Sequence, residues 1–174
     1  MKIRKLFVLI IMGIFLLPNC KTEDEGEGNL DMDMTLEGQM DIIVFPERGP
    51  VEFSGFADID PTAHTDFMEH FDSFEDVQIT GLTAEVLDVS WTGVTINWIT
   101  FKIYHSNDEA VWSFTNIPVE PGEVITLDNS NGQWDTVKKI VKKKEIFFVT
   151  VEGESSHGDV HFTLLIQSKI KLVA

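Results

Sequence analysis

Apolar and polar residues alternate with a period of two along most of this chain, the signature of half-buried strands. Leu30–Gly38 sets Met32, Met34 and Leu36 opposite Asp31, Asp33 and Glu37. Met40–Phe45 reads as a short continuous apolar strand closed by the turn Pro46-Glu47-Arg48-Gly49-Pro50, and Val51–Ile59 as another strand. Val77–Val89 is expected to hold two strands, or one strand bulged near Gly81. Val94–His105 is long, with Ile99, Phe101 and Ile103 inward and Ile96, Trp98, Lys102 and Tyr104 on the opposite face. Ala110–Ile117 places Ala110, Trp112 and Phe114 on one side, and Pro121-Gly122 turns the chain into Val124–Leu127. Glu145–Val151 is apolar on both faces, through Phe147, Val149 and Val151 and through Ile146 and Phe148, so a central strand covered on both sides is expected. Val160–Leu172 alternates without a break through Phe162, Leu164, Ile166, Ser168 and Ile170, and the loop Gly153–Gly158 reads as a hairpin joining it to the preceding strand.

The period changes in two places. Asp60-Pro61 offers an N-cap and a first-position proline, followed by Ala63, Phe67, Phe71 and Phe74 at helical spacing. Trp134, Val137, Ile140 and Val141 form a second apolar stripe, whose outer face carries Lys138, Lys139, Lys142, Lys143 and Lys144. Together these predict a mainly β protein: an antiparallel β-sandwich of about seven to nine strands with two short covering helices. The alternative is an α+β sheet with helices on one face. No internal repeat or second linker divides residues 30–174, which are expected to form one domain.

The first residues follow a different pattern. Lys2, Arg4 and Lys5 precede Leu6–Leu17, an uncharged apolar run shorter than the roughly 20 residues of a spanning helix. Such a run fits the apolar segment of a secretory signal. It ends in Leu17-Pro18-Asn19-Cys20, which resembles the bacterial lipobox, although Asn19 stands where Gly, Ala or Ser is usual. The resemblance implies a lipoprotein precursor: a signal peptide over residues 1–19, a diacylglyceryl group on the Cys20 thiol, and a membrane anchor through that lipid. Cys20 is also the only cysteine, so no internal disulfide is possible in an exported chain that could have used one. The acidic, glycine-containing stretch Lys21–Asn29 has no apolar residue to bury, so residues 20–29 are expected to act as a lipidated, flexible tether. It is similar to the acidic stretch after the lipidated Cys in Bacteroidetes-type surface lipoproteins, which implies the outer membrane of a Gram-negative bacterium.

Charge narrows the partners. The chain carries 13 Lys and Arg against 29 Asp and Glu, a net charge of −16. Lys2, Arg4 and Lys5 lie in the segment that would be removed, so the remainder is more acidic still. Nucleic acid is excluded as a partner on this ground, because it rewards a basic surface. The lysine cluster is read as a solvated helix face.

Candidate chemistry is sparse. Metal-ligand spacing is missing: His157 and His161 lie in and after a loop, and there is no His-Glu-x-x-His. Asp58, Asp60 and Asp66 around the first helix are weak calcium candidates, Asp60 being already explained as a cap. No Gly-x-Ser-x-Gly or free Cys offers a nucleophile, so the chain is read as non-enzymatic and without a cofactor beyond the lipid. Trp98, Lys102 and Tyr104 are the ligand-binding candidates, since outward aromatics with a polar tip suit sugar stacking. The competing reading buries Trp98 and Tyr104 under a helix or the second sheet. The expected function is therefore a surface-exposed interaction or assembly module of the cell envelope that contacts another envelope protein. Glycan or small-ligand binding is the alternative, and an unrecognised enzyme the third class.

If Cys20 carries the lipid, metabolic labelling with a palmitate analogue should mark the wild-type chain and not Cys20→Ser. Equal labelling of the two would remove the lipoprotein reading.

Overall fold

The computed structural model describes residues 31–173, apart from the side chains of residues 70 and 71. The expected signal segment, Cys20 and the tether lie outside the described residues. Eight strands follow in order: β1 (Met32–Val44), β2 (Val51–Ile59), β3 (Asp76–Val89), β4 (Val94–His105), β5 (Asp108–Val119), β6 (Val124–Thr126), β7 (Phe147–Ser155) and β8 (Val160–Val173). Helix α1 (Thr65–His70) lies between β2 and β3, and α2 (Gln133–Val141) between β6 and β7. The strands form two antiparallel sheets, ordered β1-β8-β3-β6 and β2-β7-β4-β5, which is the expected β-sandwich with two short helices.

The pairs β1·β8, β2·β7, β3·β6 and β4·β5 are those of one long hairpin, and wrapping that ribbon brings β3 onto β8 and β4 onto β7. An eight-stranded double sheet wound in this way is a jelly roll. Winding sorts the connections between two ends. The short links after β1, β3, β5 and β7 form a loop end, tied together by Asp159 N–H to Phe45 O (3.1 Å), Ser90 N–H to His161 O (2.8 Å) and Ser156 N–H to Thr95 O (2.8 Å). The connections holding α1 and α2 form the opposite, helical end, where β1 begins and β8 finishes.

The inward residues of both sheets make one core. On β8, Val160, Phe162, Leu164, Ile166, Ser168, Ile170 and Leu172 are all buried, the face that the alternation predicts. Phe162 meets Phe53 of the other sheet edge-on, with ring centroids 5.4 Å apart. Val137, Ile140 and Val141 of α2 are fully buried, and Trp112 and Trp134 donate their indole N–H groups to Asp128 O (2.7 Å) and Leu127 O (2.8 Å). Ser168 Oγ is the one buried side-chain polar atom without a partner among the described residues.

Several expectations change. Leu30–Gly38 and Met40–Phe45 are not two strands but the single strand β1, which runs straight through Gly38. Gly38 faces inward, and a Cβ there would lie 2.8 Å from Ile59 Cγ1, so the glycine makes room for a neighbour instead of turning the chain. The loop Gly153–Gly158 does not close a hairpin: β7 and β8 belong to different sheets, and the loop crosses between them. β7 is central, but among the described residues nothing covers its outer face as a layer; Phe148 is half-buried there between Phe56 and Tyr104. The first helix is broken into the 3-10 turn Pro61–Ala63, α1 and the turn Phe71–Ser73. Asp60 caps the first turn through Thr62 N–H (2.8 Å), and the extended backbone of His64 interrupts the helix; Phe67 is buried, whereas Ala63 is exposed.

The lysine cluster is not a free solvated stripe. Lys138 and Lys142 both reach Asp76 (2.6 and 3.3 Å), Lys143 reaches Asp108 (2.5 Å), and Lys144 pairs with Asp72. α2 and the residues just after it thereby clamp the strands and turns of the helical end together. The hydrogen bond from Lys138 holds the Asp76 carboxyl below its ordinary value of 3.8. That from Lys143 does the same for Asp108.

Two predictions follow from this packing. Leu164→Ala or Ile166→Ala should cost about 2–5 kcal/mol through lost burial and a residual cavity. Gln167→Ala and Lys169→Ala should stay within about 0.5 kcal/mol, and Ser168→Ala should be neutral or stabilising by up to about 1 kcal/mol, because it removes an unpaired hydroxyl. Denaturant melts of the five variants decide; equal costs for Gln167→Ala and Ile166→Ala would contradict the register. The second concerns acid. A carboxyl whose folded pKa is depressed stabilises above its unfolded pKa and loses that contribution as pH falls through the folded value. The stability gap between wild type and Asp76→Asn should therefore be constant near neutrality and shrink as pH drops below 3.8, as read by melts across pH.

Candidate functional site

The outer face of the second sheet is the candidate surface, and strand register lays it out in rows. Nearest the loop end, Glu52, Glu154, Trp98 and Thr115 stand side by side across β2, β7, β4 and β5. Next come Ser54, Glu152, Thr100 and Ser113, then Phe56, Thr150, Lys102 and Val111, and last Asp58, Phe148, Tyr104 and Glu109.

A bulge aims the first row. The β4–β7 register slips by one residue between Ile96 and Trp98, so Ile96 and Ile99 both face the core. Strict alternation had sent Ile96 outward with Trp98; the extra residue, Asn97, reverses that for Ile96 alone. A bulge of this kind re-aims a side chain. Here it leaves Asn97 and Trp98 together at the surface, with Asn97 Nδ2 donating to Glu154 Oε1 at 2.6 Å. Gly153 fits beneath them: a Cβ would lie 2.5 Å from Phe53 Cζ and 2.7 Å from Trp98 O, so no larger residue could occupy that position without moving β4 or the Phe53 ring.

Trp98 lines an open groove of about 490 Å³ with Ile43, Phe45, Glu52, Ser54 and Glu152. Its apolar members are unusually exposed for large side chains: Phe45 69%, Ile43 63% and Trp98 37%. A second hollow of about 380 Å³ lies at the same end, between the β3–β4 and β7–β8 loops, lined by Trp91, Val94, His157, Asp159 and Val160 among others. Trp91 is 58% exposed at its rim. Ile43 lies near the end of β1, Phe45 just follows it, and Trp91 lies in the β3–β4 loop, so exposed apolar side chains gather at the loop end.

The residues singled out in the sequence separate. Trp98 is in the groove, 37% exposed, and among the described residues no helix or second sheet covers it. Tyr104 lies three rows away at the helical side, tilted against Phe148 at 5.7 Å, and Phe148 in turn stacks on Phe56 at 5.5 Å. Lys102 pairs with Glu109 at 3.3 Å. The three therefore do not form one site. Asp58, Asp60 and Asp66 are not brought together either: among the described residues no group of three or more His, Cys, Asp or Glu could hold a metal ion. Asp58 faces outward on β2, while Asp60 accepts from the Thr62 N–H and hydroxyl.

Sequence reasoning missed Ile43, Phe45, Glu52 and Glu152. Ile43 and Phe45 looked like the end of a buried run, and only the alternation continued from Leu36 through Val44 marks Ile43 as outward. The glutamates carry no local signal, because what distinguishes them is the strand that lies beside them.

No family model matches the chain, and no curated protein does. Among solved structures, a decameric BFDV capsid protein aligns over 82% of this chain and 99% of its own at 9% identity, with a TM-score of 0.46. A structure of Desmodium yellow mottle tymovirus aligns over 84% of each chain at 9% identity, with a TM-score of 0.35. At this identity and TM-score neither bears on what this chain does.

Proposed function

We propose that this chain is a non-enzymatic lipoprotein of the cell envelope, held at the outer membrane by a lipid on Cys20, that presents the loop end of its sandwich to another envelope protein. One observation carries the reading. The large exposed apolar side chains Ile43, Phe45, Trp91 and Trp98 gather at the loop end, whereas the chain enters β1 from residue 31 at the helical end. β1 is 13 residues long, which at about 3.3 Å per residue separates the two ends by about 40 Å. A tether on one end and exposed apolar side chains on the other is the layout of a module that reaches outward, since exposed apolar patches mark contact sites. At the helical end, where Met68 and Ile146 are exposed, the ion pairs of Lys138, Lys143 and Lys144 hold the strands and turns together. Glycan binding is the second reading, favoured by an exposed indole beside Glu52, Ser54 and Glu152 in a groove.

Site-specific photocrosslinking in intact cells tests the first reading. A benzoylphenylalanine in place of Phe45 or Trp91 should give a discrete protein adduct, and one in place of the exposed Thr62 or Asp66 should not. Adducts of equal yield from both ends, or none from the loop end, would count against it.

A further inference from the structure

The charges around the groove narrow the kind of partner that fits it. Five carboxylates are matched by the chain's own lysines: Asp72, Asp76 and Asp108 by Lys138, Lys142, Lys143 and Lys144, Glu109 by Lys102, and Asp31 by Lys171. None of the five lines the groove. Among the described residues no ion pair involves Glu52, Glu152 or Glu154, and the charged side chains lining the groove are both carboxylates. Glu52 stands directly opposite Glu154 across β2 and β7, an arrangement that costs stability because like charges face each other. The partner that Glu154 does have is the neutral amide of Asn97. The four loops at this end add Glu47, Glu120, Glu123 and Asp159, against Arg48 as their one Lys or Arg. Surface with uncompensated charge of one sign, kept at a cost beside an exposed indole, is complementary to a cation.

We propose, building on the reading of the loop end as a contact surface, that this groove docks a cationic segment of a partner protein. A Lys or Arg side chain lies over the Trp98 ring between Glu52 and Glu152, and an adjoining apolar side chain packs against Ile43 and Phe45. Anionic lipid and nucleic acid are repelled by the same carboxylates, and a neutral glycan gains nothing from their charge.

Calorimetric titration of the full chain in uncharged detergent tests this with three probes: the peptide acetyl-Lys-Tyr-Lys-Tyr-Lys-amide, its glutamate counterpart, and cellohexaose. The lysine peptide should bind saturably with a Kd below about 1 mM, and more weakly as salt rises. The glutamate peptide and the sugar should not bind. The pair Glu52→Gln with Glu152→Gln, and separately Trp98→Leu, which keeps apolar bulk and removes the indole, should each weaken the lysine peptide by about tenfold. Removing Glu52 also relieves its repulsion with Glu154, so a fall in binding with an undiminished thermal midpoint is not a folding defect. No binding of the lysine peptide, unchanged affinity in both variants, or preference for cellohexaose would each overturn the proposal. An adduct at Phe45 without peptide binding would leave the loop-end function standing and remove the cationic partner. Peptide binding without any adduct would do the reverse.

Discussion

The pairing of β8 with β1, antiparallel from Met32 with Leu172 to Val44 with Val160, is the contact on which the other layers rest. It joins the two ends of the described chain across almost its whole length. Once it forms, β2 and β7 lie as the next rung of the same ribbon, and β3 can close on the free side of β8. β8 is then flanked on both edges, and its inward residues, from Phe162 to Leu172, supply the floor of the core. Closing so long a loop carries an entropic cost before the contacts beyond it form, so folding of this chain is governed by non-local pairing.

The wrapped ribbon also decides how charge is distributed. A strongly acidic chain can hold a compact shape only where carboxylates are spaced, solvated or paired. At the helical end α2 delivers a run of lysines onto Asp72, Asp76 and Asp108, and the helix is fixed by its buried Val137, Ile140 and Val141. The loop end receives no such neutralisation. There the outer face combines Glu52, Glu152 and Glu154 with Trp98, and the β4 bulge sets Asn97 beside the indole, where it bonds Glu154. A local departure from regular pairing, a like-charge neighbour pair and exposed aromatics coincide at one place. That coincidence is informative, because natural sequences depart from local consistency chiefly where something other than stability is served.

The inside and outside of most strand positions, the capped turn at Asp60-Pro61 and the apolar stripe of α2 were determined by the sequence alone, Ile96 at the β4 bulge being an exception. Each depends on the period of side chains along one segment, which needs no knowledge of neighbours. The alternation of β8 and the inward set Ile99, Phe101 and Ile103 are of this kind. What failed were readings that depended on what lies alongside. Gly38 looked like a terminator because its partner Ile59 is distant in sequence, and Gly153–Gly158 looked like a hairpin because nothing local says that β7 and β8 belong to different sheets. Phe148 looked doubly covered, and it took the register to show that its neighbours are Phe56 and Tyr104 on an open face. Tertiary structure alone decided the groove, since Ile43, Glu52, Trp98 and Glu152 come from four strands and meet only when the ribbon wraps. Periodicity is written residue by residue along a strand, whereas adjacency is set by pairing across long loops, and a binding surface on a sheet is made of adjacency.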